Sequence, residues 1–280
     1  MATVWYARMH GAGTFTRSVA VKRLLPAIAE DEPAVAMFAE EARVTSELSH
    51  PNIVQVYDFV RDPDGRYLII MEWVDGLDLA RFVRAHKRAN KELDWRLVTA
   101  IAIELLRGLG AAHGRVDADG DPAPVFHRDV TPANVMVSVG GIVKLTDFGM
   151  SRAMDRATIT QPGVLKGKMP YMAPEYVGGG VATAQTDLWS VGAILWEALV
   201  GKRLRDSKDP VTLYGMSSQI PPHVTEHRSD VPEELADVIA QVLAIHPDQR
   251  YQTAREIIVD LSAVLRRHDP PTDEVPLGEA

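Results

Sequence analysis

The chain has 280 residues, 46% hydrophobic and 24% charged, a composition that suits one large globular domain or two lobes and argues against a disordered chain. Cysteine is absent, which excludes disulfides, thiolate metal sites and cysteine nucleophiles and makes a cytoplasmic, reducing setting the plain expectation. A formal net charge of -8 argues against a nucleic-acid binder, because such proteins draw affinity from Lys and Arg placed on phosphates.

From Thr3 to Arg8 and again from Arg17 to Leu24, β-branched and aromatic residues flank His10-Gly11-Ala12-Gly13, a pattern that predicts two antiparallel strands around a turn. No apolar leader core is visible in Met1–His10. Val35–Leu48 has helical spacing. Ile53–Val60 and Tyr67–Trp73 read as two further strands, joined by the turn-forming Asp62-Pro63-Asp64-Gly65. After Asp75-Gly76 the pattern turns helical and is clearest from Leu97 to His113, with short strands expected near Val135 and Val143 and more helices up to Leu265. The apolar stretch Leu188–Gly201 is broken by Glu197 and is too short for a bilayer crossing, so it reads as a buried helix. Asp117, Asp119 and Asp121 surround Gly120, but the spacing does not fit a calcium loop, and a solvated acidic loop is the reading preferred. Three segments result: 1–74, rich in strands; 75–267, mainly helical; and 268–280, a tail or linker of Pro and acidic residues.

The segment that carries chemistry is His127-Arg128-Asp129-Val130-Thr131-Pro132-Ala133-Asn134, followed by Asp147-Phe148-Gly149 and Ala173-Pro174-Glu175, with Val19-Ala20-Val21-Lys22 upstream. In this order the set resembles the catalytic domains of bacterial eukaryotic-like (Hanks-type) Ser/Thr protein kinases over nearly the whole chain. The resemblance implies an α+β bilobal fold, with a small antiparallel sheet and one helix in the first lobe and a larger helical second lobe. It implies an enzyme that passes the γ-phosphoryl group of Mg-ATP to Ser or Thr of a protein substrate, so ATP and Mg²⁺ are the expected cofactors. The alternative reading is a pseudokinase or scaffold module of the same fold.

Physical reasons support these residue types. Phosphoryl transfer has a loose transition state, so a catalyst mainly supplies position and positive charge. Asp147 offers a hard carboxylate and Asn134 a neutral amide oxygen to magnesium, and Asp129 on the same loop is placed to accept a hydrogen bond from the attacking hydroxyl. By resemblance, Lys22 holds the α- and β-phosphates and pairs with a Glu of the next helix. Glu41 is preferred over Glu40, which lies about 100° away around the helix axis. The resemblance also places Val4 and Ala20 above the adenine, Met136 below it, Met71 at the back, Glu72, Trp73 and Val74 as the hinge, and Asp78 near the ribose. Asp187 is expected to receive backbone N–H groups of the catalytic loop, and Arg250 to pair with Glu175.

The chain departs from the family pattern in two places. The pattern G-x-G-x-x-G-x-V leads into Val4, but Met1 falls inside it and Ala2 takes the last Gly position, so weaker ATP binding and an uncovered strand Thr3–Arg8 are expected. Most Ser/Thr members carry Lys two residues after the catalytic Asp and Thr before the Ala-Pro-Glu triplet; here the residues are Thr131 and Lys168, which suggests a reciprocal exchange with Lys168 as a catalytic ammonium. Arg128 next to Asp129 suggests control by phosphorylation at Thr158 or Thr160, less so Ser151, with two copies of the chain acting on each other. His113, His223, His227 and His246 show no metal-site spacing and read as surface or packing residues.

Overall fold

The computed structural model describes residues 2–148, 167–207 and 209–268. The first part of the chain forms β1 (Ala2–His10), β2 (Thr16–Leu24), α1 (Glu32–Ser46), β3 (Val56–Arg61) and β4 (Tyr67–Glu72). The strands pair antiparallel in the order β1-β2-β4-β3. Alternation along β2 and β4 gives this sheet one buried face, and α1 covers it with Phe38 and Ala42 packed among Ala20, Leu24, Ile69 and Met71. Phe59 stands edge-on to Phe38 and stacks on Tyr67, closing the far end of this small core.

The larger part holds β5 (Gly76–Asp78), α2 (Leu79–Arg88), α3 (Trp95–His113), β6 (Val135–Ser138), β7 (Val143–Leu145), α4 (Pro174–Val177), α5 (Ala184–Val200), α6 (Pro210–Ser217), α7 (Glu233–Val242) and α8 (Ala254–His268). Its core is built around α3 and α5, whose Leu105, Leu106, Leu109, Leu188, Trp189 and Leu195 are almost wholly buried. Helix α5 is buried on nearly every side, as the continuous apolar run from Leu188 demands. Gly192 lets α7 approach it, since a Cβ there would lie 2.7 Å from Val242 Cγ1. The architecture is the expected α+β one, a small antiparallel sheet with one helix beside a larger helical body. No helix among the described residues is long and apolar enough to cross a membrane.

Two boundaries differ from expectation. The strand expected from Ile53 starts at Val56, because Ile53 and Val54 leave the first sheet and pair instead with Leu145 of β7, Val54 N–H donating to Leu145 O at 2.9 Å. The chain after Asp75 is not helical at once: Gly76–Asp78 forms β5 against β6. Gly76 permits this approach, as a Cβ there would sit 2.0 Å from Val137 O.

Candidate active site

One face of the small sheet carries a line of candidate side chains. Val4 lies opposite Lys22, and Tyr6 opposite Ala20, across β1 and β2, while Ala20 lies opposite Met71 across β2 and β4. With a side-chain period of two, Val4, Tyr6, Ala20, Lys22 and Met71 therefore share a face. Met136 of β6 packs against this same small core from the other lobe, and Val74, just after β4, is buried in it. Glu72 is tied to its surroundings by a backbone bond to Gln55 O and an ion pair with Lys144 at 2.8 Å. Trp73 meets Tyr6 edge-on, ring centroids 4.9 Å apart. Tyr6 was not among the residues expected at the site; the strand period and its register with Ala20 are the signal that finds it.

Lys22 is the buried charge in this line. Its ammonium is buried and lies 2.5 Å from Glu41 Oε1 of α1 and 2.6 Å from Asp147 Oδ1. Burial opposes the charge on Lys22, but the Asp147 and Glu41 carboxylates outweigh it and hold its pKa above the usual lysine value. Burial pushes Glu41 up to about 7, with Lys22 pulling the other way. Asp147 resists its own desolvation because Lys22 holds its carboxyl below the usual carboxylate range. Glu40, the rejected partner, instead pairs with Arg43 at 2.8 Å on the outer face of α1.

The loop that carries Asp129 is held by buried and half-buried hydrogen bonds. Asp187, at the start of α5 and almost wholly buried, accepts from His127 N and His113 Nε2 on Oδ2, at 2.7 and 2.9 Å, and from Arg128 N on Oδ1 at 2.8 Å. Burial opposes its charge, yet His113 and His127 lower its pKa below the usual value. This grip secures Arg128 at φ 64°, a left-handed conformation that costs a non-glycine residue roughly 1–3 kcal/mol. Asp147 has the same strain, at φ 66°. The Asp129 N–H donates to His127 Nδ1, so the imidazole hydrogen sits on Nε2 and is donated to Thr146 O at 2.9 Å. Phe148 is fully buried against the His127 ring, which leaves the adjacent Asp147 turned to Lys22.

Asn134 and Asp147 are brought together by strand pairing: Val135 lies opposite Leu145, and Thr146 N–H donates to Asn134 O at 3.0 Å. Asn134 Nδ2 donates to Asp129 O at 2.9 Å and to Asp129 Oδ2 at 3.0 Å, so its amide oxygen is the end left for a cation. Lys168 Nζ lies 2.7 Å from the same Asp129 Oδ2. Among the described residues, Asp129 Oδ1 is buried with no hydrogen-bond partner. A carboxylate oxygen in that state needs a donor, and a hydroxyl group is such a donor. One carboxylate and one amide oxygen are also the hard donors Mg²⁺ prefers, so the residues fit the group.

The remaining candidates fall as follows. Thr131 is buried, its carbonyl accepting from Asn134 N at 3.0 Å. Asp78 caps α2, accepting from Arg81 N at 2.8 Å and pairing with Arg81 Nε. Arg250 grips both oxygens of Glu175 at 2.7 Å. Ser151, Thr158 and Thr160, together with Gly149, lie outside the described residues. His223 gathers with Glu233 and Asp237, each offering one ligand atom within 4.8 Å of the others, a grouping hidden from linear spacing; the two acids are exposed on α7.

The protein kinase domain model matches residues 10–260. The chain belongs to the protein kinase family. It is similar to a tyrosine-protein kinase named MasK from Myxococcus xanthus, 35% identical over 281 residues, covering 99% of this chain and 43% of that protein. A Ser/Thr-protein kinase named PknB from Mycolicibacterium smegmatis is 34% identical over 266 residues, covering 93% of this chain and 40% of that protein. The kinase thus spans less than half the length of these curated relatives. The crystal structure of the Mycobacterium tuberculosis PknI kinase domain superposes with a TM-score of 0.67 at 27% identity, covering 92% of this chain and 90% of that one.

Proposed function

We propose that this domain transfers the γ-phosphoryl group of Mg-ATP to Ser or Thr hydroxyls of a protein substrate. The observation that carries the reading is the meeting of Lys22, Glu41 and Asp147 beside Asp129, whose Oδ1 has no partner. ATP enters between Val4 and Ala20 on one side and Met136 on the other, and Lys22 holds its α- and β-phosphates. Asp147 and Asn134 would hold Mg²⁺, whose charge offsets that gathering on the phosphoryl oxygens. Asp129 Oδ1 accepts the hydrogen bond of the substrate hydroxyl and orients its oxygen toward the γ-phosphorus. The new O–P bond forms as the bond to the β-phosphate oxygen breaks, the hydroxyl proton passes to Asp129 Oδ1, and ADP leaves. Lys168 shares Asp129 Oδ2 with Asn134, so a positive charge stands beside the base and near the transferring group. In this role it replaces the lysine that Thr131 displaces. Phosphorylation of Thr158 or Thr160 by a second copy would tune the enzyme through Arg128.

The test is to incubate the protein with labelled ATP, Mg²⁺ and a generic basic protein, beside Asp147→Asn, and to hydrolyse the product to its phosphoamino acids. Label on Ser and Thr that vanishes in the variant is the expected result. Label on Tyr alone would overturn the hydroxyl class, as the MasK resemblance warns, and equal label in both proteins or none in either would favour a scaffold.

A further inference from the structure

Arg205 is one of the buried charges among the described residues that the mechanism leaves unused. It lies in the loop after α5, is 3% exposed, and finds no carboxylate among its described partners. Nη1 donates to Met172 O at 2.8 Å and Nη2 to Ser217 O at 2.9 Å, at the end of α6. Its guanidinium centre lies 4.9 Å from the Trp189 ring, and that of Arg250 lies at the same distance from the same ring. Burial lowers the Arg205 pKa to about 10, with Arg250 adding to the effect and Glu175 opposing it, so it stays charged at neutral pH. Burying a cation without an ion partner is costly, and an apolar side chain of similar volume would pack there at less expense.

What the charge secures is the segment Met169–Glu175, which follows Lys168 directly. Three neighbours pin its backbone and termini in turn: Ser190 Oγ donates to Tyr171 O at 2.7 Å, Arg205 to Met172 O, and Arg250 to the Glu175 carboxylate. Tyr171 O–H adds a bond to Glu197 at 2.6 Å. The segment begins at the ammonium that touches Asp129, so a shift in its path changes where a substrate backbone can lie relative to the base. Arg205 also reaches α6.

We infer that Arg205 is a positioning residue for the protein substrate, locking the Met169–Glu175 segment to α6 so that the incoming hydroxyl meets Asp129. The inference rests on the kinase reading. Arg205→Met keeps the bulk but removes the donors. In the transfer assay it should raise KM for a basic protein about tenfold while KM for ATP stays within twofold, a split that a general loss of fold would not give. Arg205→Lys, with one reaching ammonium in place of a planar fork, should fall between. Amide hydrogen exchange reads the positioning independently of transfer: residues 169–176 should exchange faster in Arg205→Met while α5 is unchanged. Unaltered exchange in that segment, or equal rises in both KM values, overturns the inference. Absence of transfer by the unaltered protein alongside faster exchange would sink the kinase reading and the substrate role with it, leaving only the tie between the segment and α6.

Discussion

Lys168 Nζ and Asp129 Oδ2 are 2.7 Å apart, and Asn134 Nδ2 reaches the same oxygen, so one side of the catalytic carboxylate is saturated and the other is bare. The saturated side fixes the carboxylate plane. The bare side is the one assigned above to the substrate hydroxyl.

From this asymmetry, Lys168→Ala should lower kcat by about 10²-fold, comparable to removing a donor that stabilises developing charge, with KM for ATP little changed. Asp129→Ala should cost about 10² to 10⁴. Steady-state kinetics of the two variants is the check, and an unchanged kcat in Lys168→Ala would reduce that residue to a loop contact.

Lys22 and Glu41 form a buried pair, in which losing one partner should be worse than losing both. Lys22→Met leaves the Glu41 and Asp147 carboxylates facing one another and is expected to cost about 3–5 kcal/mol. Adding Glu41→Leu should recover roughly 1–4 kcal/mol of this. Denaturant titration of the single and double variants measures both, and a double variant less stable than Lys22→Met would contradict the account.

Asp187 predicts the sign of an acid effect. Its folded pKa is depressed, so the stability it contributes is fully present above the unfolded value, about 4, and is lost as the pH falls through the lower folded value. Asp187→Asn should therefore be less stable at pH 7, by on the order of 3 kcal/mol, and should lose less stability than the unaltered protein as the solution is acidified below about pH 4. Melting curves across that range decide it; parallel curves would show that the carboxylate titrates alike in both states.

Tyr6, opposite Ala20 in the sheet, meets Trp73 edge-on, a contact of the kind worth about 0.5–1.5 kcal/mol. Tyr6→Ala should raise KM for ATP about two- to tenfold, with kcat for bound substrate largely kept. Equal KM values in both proteins would place the ring outside the nucleotide path.

Much of this site is legible in the sequence because its parts are local. Asp129 and Asn134 lie within one short loop, and Lys22 is a charge in an apolar strand. The less visible parts depend on tertiary contact. Strand β5 has three residues and exists only because Gly76 lets it press on β6. Ile53 and Val54 have the pattern of a strand, but their partner is Leu145 in the other lobe. Arg205 sits in a run with Lys202, Arg203 and Asp206 that reads as solvated charge, and only the packing of Trp189 and α6 shows otherwise. Tyr6 belongs to the site through strand register, which composition does not disclose.

The stretch around Asn52 fastens the small lobe to the large one. Its side-chain amide donates to Glu104 of α3 and to Val143 O, its carbonyl accepts from Leu145 N, and Gly108 of α3 lies so near that a Cβ would be 2.9 Å from that carbonyl oxygen. Such a joint behaves like the pin of a pair of tongs. The stretch leading out of α1, the helix that carries Glu41, is thereby anchored to the larger lobe at its rear.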